Sequence, residues 1–168
     1  MRRFFIIVLS SVLLLSLLTG NALALSATYQ NTKTVTEKFD SEGLFYTVLG
    51  IDSDNNKEYV AFKNESDAGE YTILISFKEN NEEVNLRIFN IISYSDADFS
   101  KLLRTVNSMN YKYKWVRFYL DETDNTLTAS MDLVVRPGDQ VGDIVIDAMI
   151  HMTNVLDAAY ESFSIYAK

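Results

Sequence analysis

Four side chains near the end of the 168-residue chain are spaced so that they could bind a metal ion. They recur every fourth residue: Asp139, Asp143, Asp147 and His151. On an α-helix this spacing places them on one side, where Asp147 and His151 could share a divalent ion through oxygen and nitrogen ligands. However, the stripe lies opposite the apolar side of its segment, and acidic residues suit the start of a helix because of its dipole. We therefore interpret it as a solvated helix face.

Two other segments carry metal-binding patterns that fail on closer inspection. Residues 52–56 supply the first, third and fifth ligand types of a calcium loop, but Lys57 and Lys63 stand where glycine and glutamate are required. The segment is instead typical of a hairpin turn. Met149 and Met152 flank the only histidine as copper ligands would, but Met152 belongs to an apolar helix stripe that Met149 borders. Neither segment leads us to expect a metal or another cofactor.

Three alternating aromatic residues are the best indication of a binding surface. Tyr111, Tyr113 and Trp115 would face the same side of a strand that begins early. The basic residues Lys112 and Lys114 would then face the other side, and Arg117 follows them. Such a platform could hold a peptide or a sugar, whereas the alternative is that the rings pack against helices inside the core. The three aromatic residues are the candidate partner-binding site.

Apolar patterns along the chain predict an α+β domain: an antiparallel sheet of about five to six strands packed with helices. A short helix is expected over 35–42 and a long final helix after Pro137. Between them, strands are expected over 44–49, 58–62, 71–77, 83–89, 115–120 and 126–135, with a helix from about 95 to 110. In segment 83–89, residues Val84, Leu86 and Ile88 share one face while Asn85, Arg87 and Phe89 share the other, which indicates that one face of the sheet is covered.

Composition excludes several classes of protein. With 23 acidic and 15 basic residues the chain has a formal net charge of −8, which argues against a nucleic-acid partner. The lack of cysteine excludes disulfides, thiolate catalysis and zinc fingers. No catalytic signature is present, so we expect a non-enzymatic protein. A pair of carboxylates for glycoside cleavage stays open as an alternative.

The first 24 residues have the pattern of a signal peptide. Basic residues at positions 2 and 3 precede an apolar run over 4–18, and Ala22 and Ala24 form a small-x-small cleavage site. The run is shorter than the roughly 20 residues that span a bilayer, which favours cleavage after Ala24 over an uncleaved anchor. The expected product is an acidic domain, periplasmic or extracellular, that meets the membrane only during export. Residues 25–43 would form a flexible lead-in and the short helix, and residues 44–168 the main domain.

The segment 102–110 (Leu-Leu-Arg-Thr-Val-Asn-Ser-Met-Asn) carries a resemblance to a known family. A helix ending in Asn107-x-x-Asn110, then residues 114–120, an Asp-containing turn and residues 127–133 resemble the centre of the YbjN family. The similarity runs from about residue 44 to 168, and this family has a fold similar to that of type III secretion chaperones. The resemblance implies a concave sheet and no established catalytic residues, although the export signal departs from cytoplasmic chaperones. Taken alone, Asn110 suits a helix cap, and Asn107 suits a backbone bond at the helix–strand junction.

The function expected from these observations is an exported protein-binding module, chaperone-like or regulatory. It would capture an extended or amphipathic segment of a protein partner, or of a second copy, by groove docking or edge-strand pairing. Two alternatives belong to other classes. One is a small hydrolase that uses paired carboxylates, and the other is a ligand-binding or metal-binding sensor that reports to a membrane partner.

Overall fold

The computed structural model describes residues 25–168, and the expected signal peptide with Ala22 and Ala24 lies outside them. Within the described residues, three α-helices and six strands form the predicted α+β fold. The elements are α1 (Gln30–Ser41), β1 (Thr47–Asp52), β2 (Lys57–Ser66), β3 (Gly69–Lys78), β4 (Glu83–Ile88), α2 (Phe99–Lys112), β5 (Arg117–Asp121), β6 (Thr126–Val134) and α3 (Val141–Ser164). A 3₁₀ turn, Asp96–Asp98, leads into α2.

All strands are antiparallel neighbours in the order β1-β2-β3-β4-β6-β5. The first four strands form a meander, since short turns connect each strand to the next. The chain then forms α2 before β5 and β6 complete the sheet from its other side. This order makes β1 and β5 the two edge strands, so the loop that precedes β5 lies at the edge farthest from β1.

The core lies between one face of the sheet and the helices. On β4 the side chains of Val84, Leu86 and Ile88 are fully buried, as the alternating pattern predicts. The rings of Phe118 on β5 and Phe163 on α3 pack with their centroids 4.8 Å apart, so α3 lies on this face. The opposite side of the sheet, which carries polar residues, is called the open face below.

Helix α1 begins at Gln30, five residues before the predicted start at Val35. Its first turn is anchored by Glu58 of β2, whose carboxylate accepts hydrogen bonds from the backbone N–H of Thr28 (2.7 Å) and Tyr29 (2.8 Å). The polar residues at the start of α1 have no strong local preference for helix or strand. A tertiary contact therefore stabilises their helical conformation. The polar lead-in predicted over 25–34 is correspondingly shorter.

Helices α1 and α3 cross where α3 has a glycine. A Cβ atom on Gly142 would lie 2.6 Å from the Cβ of Lys38, so the absence of a side chain permits the close approach. The contact is reinforced by an ion pair of 2.9 Å between Lys38 and Asp143. Of the helices within residues 25–168, none combines the length and apolar character that a membrane span requires.

Candidate functional site

The structure does not place the three candidate aromatic residues on one face of a strand. Tyr111 lies in the last turn of α2, Tyr113 follows the helix end, and β5 begins only at Arg117. The helix continues two residues beyond Asn110, although the residue type of Asn110 suits a helix cap. The predicted alternation of Tyr111, Tyr113 and Trp115 is therefore wrong, because alternation requires an extended chain.

Asn110 binds a strand instead of capping its helix. Its amide Nδ2 donates to the carbonyl oxygen of Phe118, and the N–H of Phe118 donates to its Oδ1, both at 2.8 Å. Since β5 is an edge strand, these outward backbone groups have no neighbouring strand on that side. Asn110 thus supplies the missing partner and fixes the end of α2 against β5. Asn107 is exposed and makes no hydrogen bond through its side chain within the described residues.

Replacing Asn110 by alanine is expected to lower the free energy of unfolding by about 1–3 kcal/mol, because two backbone groups of the buried Phe118 lose their partners. Asn107→Ala is the matched control on the same helix and should change stability by less than about 0.5 kcal/mol. Urea unfolding of both variants measures the difference. Equal effects would show that the bridge between Asn110 and Phe118 does not stabilise the fold.

Trp115 is held in an unusual conformation with its ring in solvent. Its φ angle is 68°, in the left-handed region that bulky side chains rarely adopt, and the residue is 69% exposed. The indole packs against His151 of α3 in an edge-to-face arrangement, with centroids 5.7 Å apart and planes at 68°. The Nε2 atom of His151 lies 3.2 Å from the carbonyl oxygen of Lys114, so the histidine contacts both the ring and the backbone beside it.

The residues on either side of Trp115, from 111 to 117, combine aromatic and basic side chains. The hydroxyl of Tyr113 donates to the carbonyl of Ala158 on α3 (3.2 Å), while Tyr111 is 93% exposed. The exposed basic residues are Lys112, Lys114 and Arg117. The ion pairs of the described residues involve none of these three, so the loop is a cationic patch on an acidic chain. Residues 111–117 are called the aromatic–basic loop below.

The predicted acidic stripe on α3 is divided among separate contacts. Asp139 precedes the helix, and its Oδ2 accepts a hydrogen bond from the N–H of Arg136 (2.7 Å). Asp143 pairs with Lys38, Asp147 is exposed, and His151 packs on Trp115. Within the described residues, no three histidine or acidic side chains form a cluster suited to a metal ion.

Lys38 lies between two carboxylates at the crossing of α1 and α3. It binds Glu42 at 2.8 Å and Asp143 at 2.9 Å. The hydrogen bond that Lys38 donates to Glu42, followed by the one that it donates to Asp143, raises the pKa of Lys38 above its ordinary value. The contact therefore favours the charged form of Lys38, and Asp143 is a structural ion-pair partner.

The segment 52–56 consists of Asp52, the last residue of β1, and the turn 53–56 that leads into β2. Asp52 Oδ1 accepts the N–H of Asp54 (2.9 Å), and its Oδ2 accepts the amide of Asn55 (2.7 Å). Asn56 is left-handed, with a φ of 53°. These contacts are those of an Asx-stabilised hairpin turn, which confirms the predicted turn. Met149 and Met152 are both buried among the apolar residues of α3.

Sequence reasoning missed a polar network on the open face. Asn85 is 9% exposed, and its Oδ1 accepts from Ser76 (3.3 Å) and from the ammonium group of Lys57 (3.4 Å). Its Nδ2 donates to Asp132 of β6 (2.9 Å), which also pairs with Arg87 at 2.7 Å. Alternation places Asn85 and Arg87 on one face, but the pairing of β4 with β6 cannot be read from a local pattern.

Comparison with known proteins identifies the family and the fold. A family model for YbjN, described as "Putative bacterial sensory transduction regulator", matches residues 41–162. The structure titled "Crystal structure of YbjN, a putative transcription regulator from E. coli" is similar, with a TM-score of 0.51 and 15% identity over 77% of this chain and 90% of that chain. At this identity the likeness shows the fold alone. No curated protein sequence matches the chain significantly.

The family match begins at the last residue of α1, although α1 is part of the same core. Val35 and Phe39 of this helix are fully buried. The matched residues 41–162 include all six strands, α2 and nearly all of α3, and they make up most of the chain. The predicted resemblance is thereby confirmed, and the chain belongs to the YbjN family.

Proposed function

We propose that this protein is an exported, non-enzymatic binding module that captures a protein partner through the aromatic–basic loop. The family description as a regulator supports a role in protein interaction. The observation that carries the proposal is Trp115, which is 69% exposed and yet fixed by His151. The signal-peptide pattern of residues 1–24 supports export.

A fixed and exposed tryptophan is well suited to anchor a partner. Tryptophan is enriched among the residues that dominate binding energy, because it buries a large area. The contact of Trp115 with His151 limits the rotamer freedom that the ring would lose on binding. A left-handed backbone at a bulky residue costs about 1–3 kcal/mol, and such strain concentrates at functional sites.

The charge of the loop indicates the chemistry of the partner. Lys112 and Lys114 are exposed and form no ion pair among the described residues, whereas the whole chain has a net charge of −8. Complementary charge guides encounter and excludes wrong partners. The expected ligand is therefore a segment of a partner protein in which carboxylates flank an apolar side chain. The apolar side chain would pack on Trp115 and the carboxylates would face the lysines.

Site-specific crosslinking in the host cell tests this proposal. A photoreactive phenylalanine is placed at position 111 or at position 45 of the full chain, so that the anchor Trp115 is kept. Tyr111 belongs to the aromatic–basic loop and is 93% exposed. Phe45 is the control because it is 87% exposed but precedes β1, at the opposite edge of the sheet. The proposal predicts that position 111 crosslinks one dominant protein through an acidic segment, and that position 45 crosslinks none.

The affinity of the captured protein gives a quantitative test. Trp115→Ala should weaken binding at least about 30-fold, in the range of an anchor residue, while Phe45→Ala leaves it unchanged. Equal binding by Trp115→Ala and the unmodified protein would refute the loop as the binding surface. Crosslinking of position 111 only to a second copy would contradict a separate partner, and light scattering over a concentration series would then establish self-association.

A further inference from the structure

The open face contains a small depression that is separate from the aromatic–basic loop. Its volume is about 160 Å³, and it is lined by Lys57 and Tyr59 of β2, Leu74 and Ser76 of β3, Asn85 and Arg87 of β4, and Phe89 after β4. Tyr59 pairs with Ser76, and Ser76 pairs with Asn85, so these residues form one row across three strands. This depression is called the open-face pocket.

The pocket has buried polar groups at its base. Ser76 is 6% exposed and Asn85 is 9% exposed, although they lie on the side of the sheet opposite the core. Isolated polar side chains on a solvated sheet face are normally accessible to water. Here the longer side chains of Lys57, Tyr59 and Arg87 surround them, and the recess combines these hydrogen-bonding groups with the apolar side chains of Leu74 and Phe89.

The charge of the pocket favours an anion. Lys57 and Arg87 line it, and its lining contains no carboxylate. Arg87 is neutralised by Asp132 at 2.7 Å, but Lys57 forms no ion pair among the described residues. The one hydrogen bond of its ammonium group within the described residues is long, 3.4 Å to Asn85 Oδ1. An ammonium group has three N–H donors, so Lys57 retains donors for a ligand.

A second donor is available beside Lys57. The hydroxyl oxygen of Tyr59 accepts a hydrogen bond from the amide of Asn55 (3.0 Å), which leaves its own proton for another acceptor. One charged donor and one neutral donor that line the same recess can bind the two oxygens of a carboxylate. Sites for whole small molecules measure roughly 300–1,000 Å³, so this recess fits a single ligand group.

We propose that the open-face pocket binds a carboxylate group, with Lys57 as the charged donor and Tyr59 as the neutral donor. The rest of the ligand lies outside the recess, over the open face. A free organic acid and a glutamate side chain of a peptide carry the same group. This assignment does not depend on the proposed role of Trp115. The pocket lies across β2, β3 and β4, whereas Trp115 precedes the edge strand β5, which β6 separates from β4.

Nuclear magnetic resonance titration tests the pocket with defined probes. Acetate and a blocked Gly-Glu-Gly peptide are each added to the protein, while the side-chain amide signals of Asn85 are followed. The expected result is saturable shifts of these signals, with affinity reduced about tenfold or more in Lys57→Met. Lys63→Met is the matched control because Lys63 is exposed on the same strand and points to the same face.

The two probes distinguish the source of the carboxylate. Saturation by both supports recognition of the group itself, and saturation by the peptide alone supports an acidic peptide as the ligand. Equal weakening by Lys57→Met and Lys63→Met would overturn the proposal, since it would indicate general charge attraction. No saturable shift, or tighter binding of inorganic phosphate, would overturn it as well. Trp115→Ala should leave both titrations unchanged, so failure here is distinct from failure of the proposed function.

Discussion

Replacement of Glu58 by alanine is expected to lower the free energy of unfolding by about 3–5 kcal/mol, because two hydrogen bonds to its buried carboxylate are lost. Its carboxylate is fully buried and accepts the backbone N–H groups of Thr28 and Tyr29 at 2.7 and 2.8 Å. Each hydrogen bond to a charged group contributes about 1.5–3 kcal/mol, and the variant leaves both donors unpaired. The negative charge of Glu58 also lies at the N-terminus of α1, where its interaction with the helix dipole is favourable.

Urea unfolding measures the loss, and hydrogen exchange locates it. Glu58→Gln retains one carbonyl oxygen as an acceptor and should lose less stability than Glu58→Ala. Glu65→Ala is the control, since Glu65 is exposed on the same strand and its loss should cost less than about 0.5 kcal/mol. If Glu58→Ala cost no more than Glu65→Ala, the anchoring of α1 would have to come from other contacts. A catalytic pair of carboxylates would also require a buried acidic side chain, but both carboxylate oxygens of Glu58 accept hydrogen bonds from backbone N–H groups.

Gly142→Ala is expected to destabilise the protein by about 1–3 kcal/mol, although alanine has a higher helix propensity than glycine and Gly142 is the second residue of α3. The new methyl group would lie 2.6 Å from the Cβ of Lys38 and 3.3 Å from the carbonyl oxygen of Thr34, so α1 has to move. Overpacking therefore outweighs helix propensity. A decrease in the free energy of unfolding would indicate that overpacking dominates, and an increase would indicate that helix propensity dominates.

Thermal unfolding of Gly142→Ala beside Asn154→Ala makes the comparison direct. Asn154 is exposed on the same helix, so its replacement shows the effect of propensity without a clash. We expect the melting temperature to fall for Gly142→Ala and to stay or rise slightly for Asn154→Ala. A rise in both would mean that α1 and α3 do not approach as closely as described.

The elements that the sequence predicts well are those with strong local periodicity. The apolar stripe of α3 is buried from Val141 to Phe163, because a helix of this length repeats its pattern many times. The alternation of Val84, Leu86 and Ile88 likewise identifies the covered face of β4. In both cases the side chains that face the core follow from the element's own period.

The errors lie where a tertiary contact determines the local structure. The start of α1 depends on Glu58, which is 28 residues away from Gln30 and far outside any local window. Asn110 looks like a helix cap, since asparagine suits that position, yet its partner is the backbone of Phe118 on an edge strand. Because α2 therefore ends later than expected, the aromatic residues after it are not on a strand.

The two candidate binding surfaces likewise combine features that the sequence shows with features that depend on tertiary contacts. Trp115 was identified from its residue type and its aromatic neighbours, but its contact with His151 requires the packing of α3 beside the loop. The open-face pocket was missed because it requires three strands in register. Residue types can thus suggest a binding surface, whereas its geometry depends on pairing between distant segments.

The most direct test of partner capture uses Trp115 itself, since it is the single tryptophan of the chain. Its fluorescence is recorded in the purified protein during titration with the acidic segment of the crosslinked partner. Because the residue is 69% exposed, the free protein should emit at a long wavelength and be quenched readily by acrylamide. Capture of the segment by Trp115 should give a saturable shift to shorter wavelength and protection from acrylamide. Binding of the partner with an unchanged emission and unchanged quenching would contradict it.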